Sequence, residues 1–276
     1  MSNPPRKSLG QHWLGNELVL NKIILAANIE SNDRILEIGP GKGALTDKLL
    51  QTNVELVHAI EIDRRLIQNL RNRFSSNHRF SLMEANVLSI PLTPLDGIPA
   101  NKVVANIPYN ITGPILQRLL GRLGTRLDHT FTKLVLLLQK EVADRILASP
   151  GDSNFSALSV RIQLLGKCSE VCDVPSSSFN PPPKVDSKVI TIDPLSPSDR
   201  LTTRIESKIE QMLKIAFLER RKKLRNTLLR LCSPIVLEEL ANNIGISLDQ
   251  RPQELSTMNW IDLAKGIQSL EELQTK

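Results

Sequence analysis

Aromatic side chains are scarce: two tryptophans, six phenylalanines and a single tyrosine make up 3% of 276 residues. Cysteine is rarer still, with Cys168, Cys172 and Cys232 as the full complement. An odd count of three, with no secretory signal, excludes a disulfide framework and points to free thiols in a reducing cytosol. Cys168 and Cys172 are four apart, yet none of the four histidines (His12, His58, His78, His129) makes a zinc-like pair with them. Buried thiols and no metal are therefore expected. No apolar run reaches the roughly 18–20 residues of a membrane span, and none of signal-peptide length follows the first residues. A soluble, cytoplasmic protein is expected. There is no internal repeat, and no coiled coil or exposed apolar stripe that demands a partner copy, so a monomer is expected.

What is present starts with charge. Net charge is +6 at pH 7 and the isoelectric point about 9.3, which suits a polyanionic partner. The length allows one large domain and one small one.

Along the chain, helical spacing predicts helices over 16–28, 44–50, 64–74, 112–123 and 140–148. Short apolar runs predict strands over 34–38, 54–62, 79–83, 102–107 and 134–138. Strands alternating with helices indicate an α/β domain with a mainly parallel sheet. Further strands are predicted over 158–165 and 188–192, antiparallel to each other because they lie close in sequence. The proline-rich stretch between them cannot join the middle of a sheet. Pro194-Leu195-Ser196-Pro197-Ser198 reads as a linker, which divides the chain into domains 1–195 and 196–276. After it the pattern is helical: 201–217, 220–231, 234–243 and 259–272.

Two stretches carry chemistry, both at carboxyl ends of predicted strands, where ligands of such sheets bind. In Gly39-Pro40-Gly41-Lys42-Gly43 the glycines let backbone approach a ligand. The following helix aims its N–H groups at an anion. Glu61, at the end of the second strand, can accept from both ribose hydroxyls. The same spacing fits the dinucleotide fingerprint, so the loop alone leaves NAD and S-adenosylmethionine open.

Asn106-Ile107-Pro108-Tyr109 decides between them. Pro108 fixes its own φ and biases Ile107 to an extended shape, which sets where the Asn106 amide and Tyr109 ring point. A dehydrogenase calls for a proton-transfer residue, and neither His58 nor His78 is placed for it. An amide acceptor, a rigid carbonyl and a flat ring suit methyl transfer to the exocyclic amine of a nucleobase. That nitrogen is a poor nucleophile because its lone pair is delocalised into the ring. Acceptors from Asn106 and the Pro108 carbonyl favour the tetrahedral form whose lone pair faces the methyl group.

With these residues in view, the chain resembles the KsgA/RsmA family of small-subunit ribosomal RNA adenine-N6 dimethyltransferases. The resemblance rests on Lys7-Ser8-Leu9-Gly10-Gln11-His12-Trp13-Leu14, Leu36-Glu37-Ile38-Gly39-Pro40-Gly41-Lys42-Gly43-Ala44, Glu61-Ile62-Asp63, Asn106-Ile107-Pro108-Tyr109, Gln139-Lys140-Glu141, Phe179-Asn180-Pro181-Pro182-Pro183-Lys184-Val185-Asp186-Ser187 and Arg220-Arg221-Lys222-Lys223-Leu224-Arg225-Asn226. These run in family order, and together they are highly specific. The resemblance implies a Rossmann-like class I S-adenosylmethionine-dependent methyltransferase sheet with a small C-terminal all-helical domain. It implies two adjacent adenosines of 16S rRNA in the small subunit as substrate. By it, Gln11, His12 and Leu14 would sit against the methionine part of S-adenosylmethionine. Gly39 and Gly41 would line the cofactor, Glu61 would hold its ribose, and Asn106 and Pro108 would bind the target amine. Tyr109 and Phe179 would sandwich the flipped adenine.

The chain departs from the common family pattern at His12, Trp13 and Asn86. An acid usually stands at the place of Asn86 and accepts from the cofactor's adenine amino group. The Asn86 carbonyl oxygen can accept the same bond without the charge, so somewhat weaker cofactor binding is expected. Phe179 is expected to be partly exposed on its proline-rich loop. Five cations fall within six residues at 220–225, facing no comparable acidic run, and Arg221, Lys222 and Arg225 are read as phosphate contacts.

Overall fold

The computed structural model describes residues 6, 10–92, 97–127, 129 and 131–274. The chain packs into two units. One comprises residues up to Leu120, Asp128–Ala143 and Cys168–Pro194; the other comprises Gly121–Leu127, Asp144–Lys167 and the chain from Leu195. The sequence boundary near 195 is thus one of several crossings between them.

In the first unit, α1 (Glu17–Ala27) is capped by Asn16, whose Oδ1 accepts from the N–H groups of Leu18 and Val19. Asn28 closes it with a left-handed φ of 45°. Val19, Leu20, Ile23 and Ala27 form its buried stripe. Then follow β1 (Arg34–Ile38), α2 (Ala44–Leu50), β2 (Leu56–Glu61), α3 (Arg64–Phe74), β3 (Phe80–Glu84), β4 (Lys102–Asn106), α4 (Thr112–Leu120) and β5 (Lys133–Gln139). α5 (Lys140–Leu147) runs on into the second unit, which holds α6 (Ala157–Gln163), and the chain then returns for β6 (Gly166–Val174) and β7 (Ser187–Pro194).

Among the described residues, seven strands form a sheet in the order β3-β2-β1-β4-β5-β7-β6. The pairs from β3 to β5 are parallel, as βαβ connections require. The exception is β7, antiparallel to β5 with Leu134 opposite Ile192 and Gln139 opposite Ser187. Ile35, Val57, Val104, Val135 and Val189 build the core on one sheet face with Leu20 and Ile23 of α1 and Leu49 of α2. Outside this sheet, Trp13 pairs with Asn180 and Leu14 with Phe179 in a short antiparallel ladder.

Residues 158–165 are a correction: the stretch is α6, not a strand. Val160, Ile162 and Leu164 alternate as in a strand, but Ser156 and Ser159 close a reciprocal cap that starts a helix. The neighbour of β7 is β6 instead. Its polar residues Lys167, Ser169, Glu170 and Asp173 disguise it, as befits the last strand of a sheet.

The second unit contains α7 (Thr203–Leu218), α8 (Leu224–Thr227), α9 (Pro234–Ile244) and α10 (Thr257–Gln274) around Ile209, Met212, Leu213, Leu237, Trp260 and Leu263. Buried Glu206 ties Gly121–Leu127 to it by accepting from Gly124 N, Arg126 and Arg200. The helix expected over 220–231 shrinks to four residues of α8 and a following turn. Like charges at successive helical turns oppose helix there, and four of the five cations occupy the turn before it, with Arg225 inside α8.

Candidate functional site

The strand ends build the site. Glu37 lies opposite Ala59 in the β1–β2 register, and Leu36 opposite Val103 in the β1–β4 register. Side chains alternate along a strand, so Glu37, Glu61 and Asn106 share one face at the carboxyl ends of β1, β2 and β4. A cavity of about 400 Å³ opens there, lined by all three and by Gly39, Gly41, Asn86, Pro108 and Tyr109. Gln11, His12, Trp13 and Leu14 of the N-terminal segment line it too.

Two glycines of the loop are required by their surroundings. Gly41 has φ +61°, and a Cβ there would stand 2.8 Å from Cδ1 of Trp13. Gly39 has φ +67°, and a Cβ would meet nothing within 4 Å, which is the room a ligand uses. Glu61 braces the loop. Its carboxylate accepts from Gly41 N at 3.1 Å and from Ile62 N and Asp63 N, both at 2.9 Å. Burial nevertheless raises its pKa. Lys42 rests its ammonium 4.0 Å from the centre of the Trp13 ring.

The N-terminal segment is held by polar contacts across the chain. Gln11 Nε2 donates to Asp63 Oδ2 at 2.9 Å. Asp63 also caps α3 and accepts two bonds from the Arg65 guanidinium, which with Gln11 hold its carboxyl well below the usual range. His12 Nδ1 lies 2.9 Å from the Pro181 carbonyl oxygen. Asn106 Nδ2 donates to the His12 carbonyl at 3.1 Å. A carbonyl only accepts, so this contact orients the amide: its nitrogen is used, and Oδ1 is the atom left for a ligand.

Pro108 bends the chain into a turn over Tyr109–Ile111. Its carbonyl accepts from Ile111 N at 3.2 Å and, at 3.4 Å, from the Thr112 hydroxyl, which also reaches the Tyr109 carbonyl at 3.3 Å. The Tyr109 hydroxyl lies 2.5 Å from Ser187 Oγ, and burial pushes its pKa up. That bond fixes the ring at the cavity edge.

Expectations change at Phe179 and at the cationic turn, and two contacts appear beside them. Phe179 is 4% exposed and belongs to the core, while Asn180 lines the cavity. Strand alternation in the short ladder turns Phe179 inward, so the expected partial exposure is corrected. The ring stacked on Tyr109 is that of His12, with centroids 6.0 Å apart and planes at 20°. Asn86 is exposed at the cavity with its Oδ1 already accepting from Leu88 N at 3.0 Å. The cationic turn does face acids: Lys222 pairs with Glu219, and Arg225 and Lys223 with Asp249. Arg221 is exposed, with no ion pair to another described residue.

Two residues with no role in the sequence reading belong to this site. Glu37 lines the cavity, buried to 1%; an acid closing a strand just before a glycine loop is the signal for it. Trp13 packs on Gly41, a contact no spacing reveals. Neither Cys168 nor Cys172 is in a disulfide, and burial pushes the Cys168 thiol up to about 12.

The cavity fits a nucleoside cofactor: open space at Gly39, a braced carboxylate at Glu61, and a free amide oxygen at Asn106. A family model described as "Ribosomal RNA adenine dimethylase" matches residues 2–269. The chain belongs to the ribosomal RNA adenine dimethylase family. Its methyl donor is S-adenosylmethionine, and the sheet is that of the class I methyltransferases. A Prochlorococcus marinus relative named "Ribosomal RNA small subunit methyltransferase A" is 56% identical over 272 residues, covering 99% of this chain and 98% of its own. A Synechococcus relative of the same name is 55% identical, covering 97% of each chain. Among solved structures, a dimethyladenosine transferase from Plasmodium falciparum matches with a TM-score of 0.73 and 29% identity, over 91% of this chain and 96% of its own. The 23S rRNA methyltransferase ErmE shares the fold, with a TM-score of 0.74 and 24% identity over 93% and 99% of the two chains.

Proposed function

We propose that this enzyme dimethylates the N6 amines of two adjacent adenosines in the 3′-terminal hairpin loop of 16S rRNA, within the small ribosomal subunit. The reaction takes place in the cytoplasm, the enzyme acts as a monomer, and it serves small-subunit biogenesis. The observation that carries the reading is the Asn106 amide, whose nitrogen is held by the His12 carbonyl so that Oδ1 faces the ligand space.

S-adenosylmethionine supplies an activated methyl group when bound. Gly39 leaves room for it, Glu61 accepts from its ribose, and Gln11, His12, Leu14 and Asn86 border it. Asn106 Oδ1 and the Pro108 carbonyl, from which the Thr112 hydroxyl can swing to the Tyr109 carbonyl, accept the two N–H bonds of the adenine amine. They hold the nitrogen tetrahedral, with its lone pair toward the methyl group. Tyr109, fixed by Ser187, offers its ring to the flipped base. Phe179 backs this wall from the core. The cations at 220–225, Arg221 foremost, contact phosphates alongside Lys222 and Arg225.

Small and large subunits, both lacking these methylations, separate the substrates. Methyl incorporation from labelled S-adenosylmethionine into the small subunit alone is expected. Incorporation confined to large subunits would overturn the substrate assignment.

A further inference from the structure

The cavity holds two carboxyl groups in contrasting surroundings. Glu61 receives three backbone N–H bonds, which favour its anion against the burial that raises its pKa. Glu37, on the same sheet face and buried to 1%, receives the Thr46 hydroxyl on Oε2 at 2.7 Å. The Thr46 backbone N–H donates to the same carboxylate, and both bonds favour its ionised form against burial. No ion pair reaches it among the described residues. On α2, Asp47 is paired with Arg73 and Lys48 with Glu17. On β4, Lys102 is paired with Asp33 at the far end of the strand. Lys42 lies over Trp13. His12 and Tyr109 border the cavity from the N-terminal segment and the turn after β4. Glu61 is the charge that acts on Glu37, and it repels the ionised form.

We propose that Glu37 is the charge-compensating carboxyl of the methyl-donor site. It carries a proton while the cavity holds no cation, releases it as the sulfonium compound binds, and regains one after the sulfur has become neutral. The step balances. Methyl transfer breaks the C–S bond and forms a C–N bond, and the electron pair stays on sulfur as an uncharged thioether. The amine loses a proton to solvent, and Glu37 takes its own proton from solvent. Burial and then Glu61 push the Glu37 pKa up to about 8, so at neutral pH the empty site is largely protonated. A cation arriving in the same cavity favours the carboxylate. The device distinguishes methyl donor from spent product by one charge, and it spares the product-bound site a buried, uncompensated carboxylate.

The test is calorimetric. S-adenosylmethionine and S-adenosylhomocysteine are titrated into the whole protein in buffers of different ionisation enthalpy near pH 7. The expected result is that the sulfonium compound releases close to one proton more than the thioether. Glu37→Gln, which keeps an acceptor for Thr46, should bring the two counts together. A second measurement stands on the wild-type protein alone. The affinity ratio of the two compounds should rise up to ~10-fold per pH unit below about pH 8 and level off above it. Equal proton counts in the wild-type protein, a pH-independent ratio, or an undiminished difference in Glu37→Gln would overturn the proposal. Absence of binding by both compounds would contradict the cofactor assignment on which it rests, and the proposal with it.

Discussion

Asn106 and His12 stand 94 positions apart and meet through one hydrogen bond, from the Asn106 side-chain nitrogen to the His12 carbonyl. Asn106→Asp places an acceptor against an acceptor. The expected outcome is a fall in kcat of roughly 100-fold, the scale of a misplaced reacting group. Affinity for S-adenosylhomocysteine should change far less. Single-turnover kinetics with parallel calorimetry would show the split.

Gly39→Ala and Gly41→Ala should fail differently. Both force a non-glycine residue to a left-handed φ, at about 1–2 kcal/mol of stability each. At Gly39 the new methyl enters the ligand space, so S-adenosylhomocysteine affinity should fall at least ~10-fold with the Trp13 surroundings intact. At Gly41 the methyl strikes the Trp13 ring. Its fluorescence, isolated in a Trp260→Phe background, should shift even without ligand.

Asn86→Asp should tighten S-adenosylmethionine binding several-fold. Asn86 already spends Oδ1 on Leu88 N. A carboxylate could keep that bond and offer its second oxygen to an amino group. An unchanged dissociation constant would remove Asn86 from the cofactor site.

Arg221→Ala should weaken rRNA binding more than Lys222→Ala and lower the salt slope by about one. The Lys222 ammonium is partly neutralised by Glu219, whereas Arg221 has no such partner among the described residues. Filter binding across a salt series distinguishes them; equal losses would contradict the assignment.

Local signals made much of the first unit legible. Asn16 and Asn28 bracket α1, and β1, α2 and α3 have the bounds their spacing predicts. The Asn106–Tyr109 stretch and the glycine loop do converge on one cavity. What escaped depends on distant partners or on competing local codes. The serine cap of α6 outweighed an alternating pattern. Phe179 was turned inward by pairing with Leu14, 165 positions earlier. Glu219 and Asp249 reached the cationic turn from outside the run itself. The contact of Gln11 with Asp63 and that of Thr46 with Glu37 are likewise properties of the folded chain.

The central claim is adenine-N6 dimethylation with Asn106 at the reacting nitrogen. It is tested most directly by mass spectrometry of digested rRNA, after incubation of unmethylated small subunits with S-adenosylmethionine and enzyme. Dimethyladenosine at two adjacent positions with the wild-type chain, lost in Asn106→Ala, is the expected result. Unmodified adenosines despite intact rRNA binding, or full dimethylation by Asn106→Ala, would contradict it.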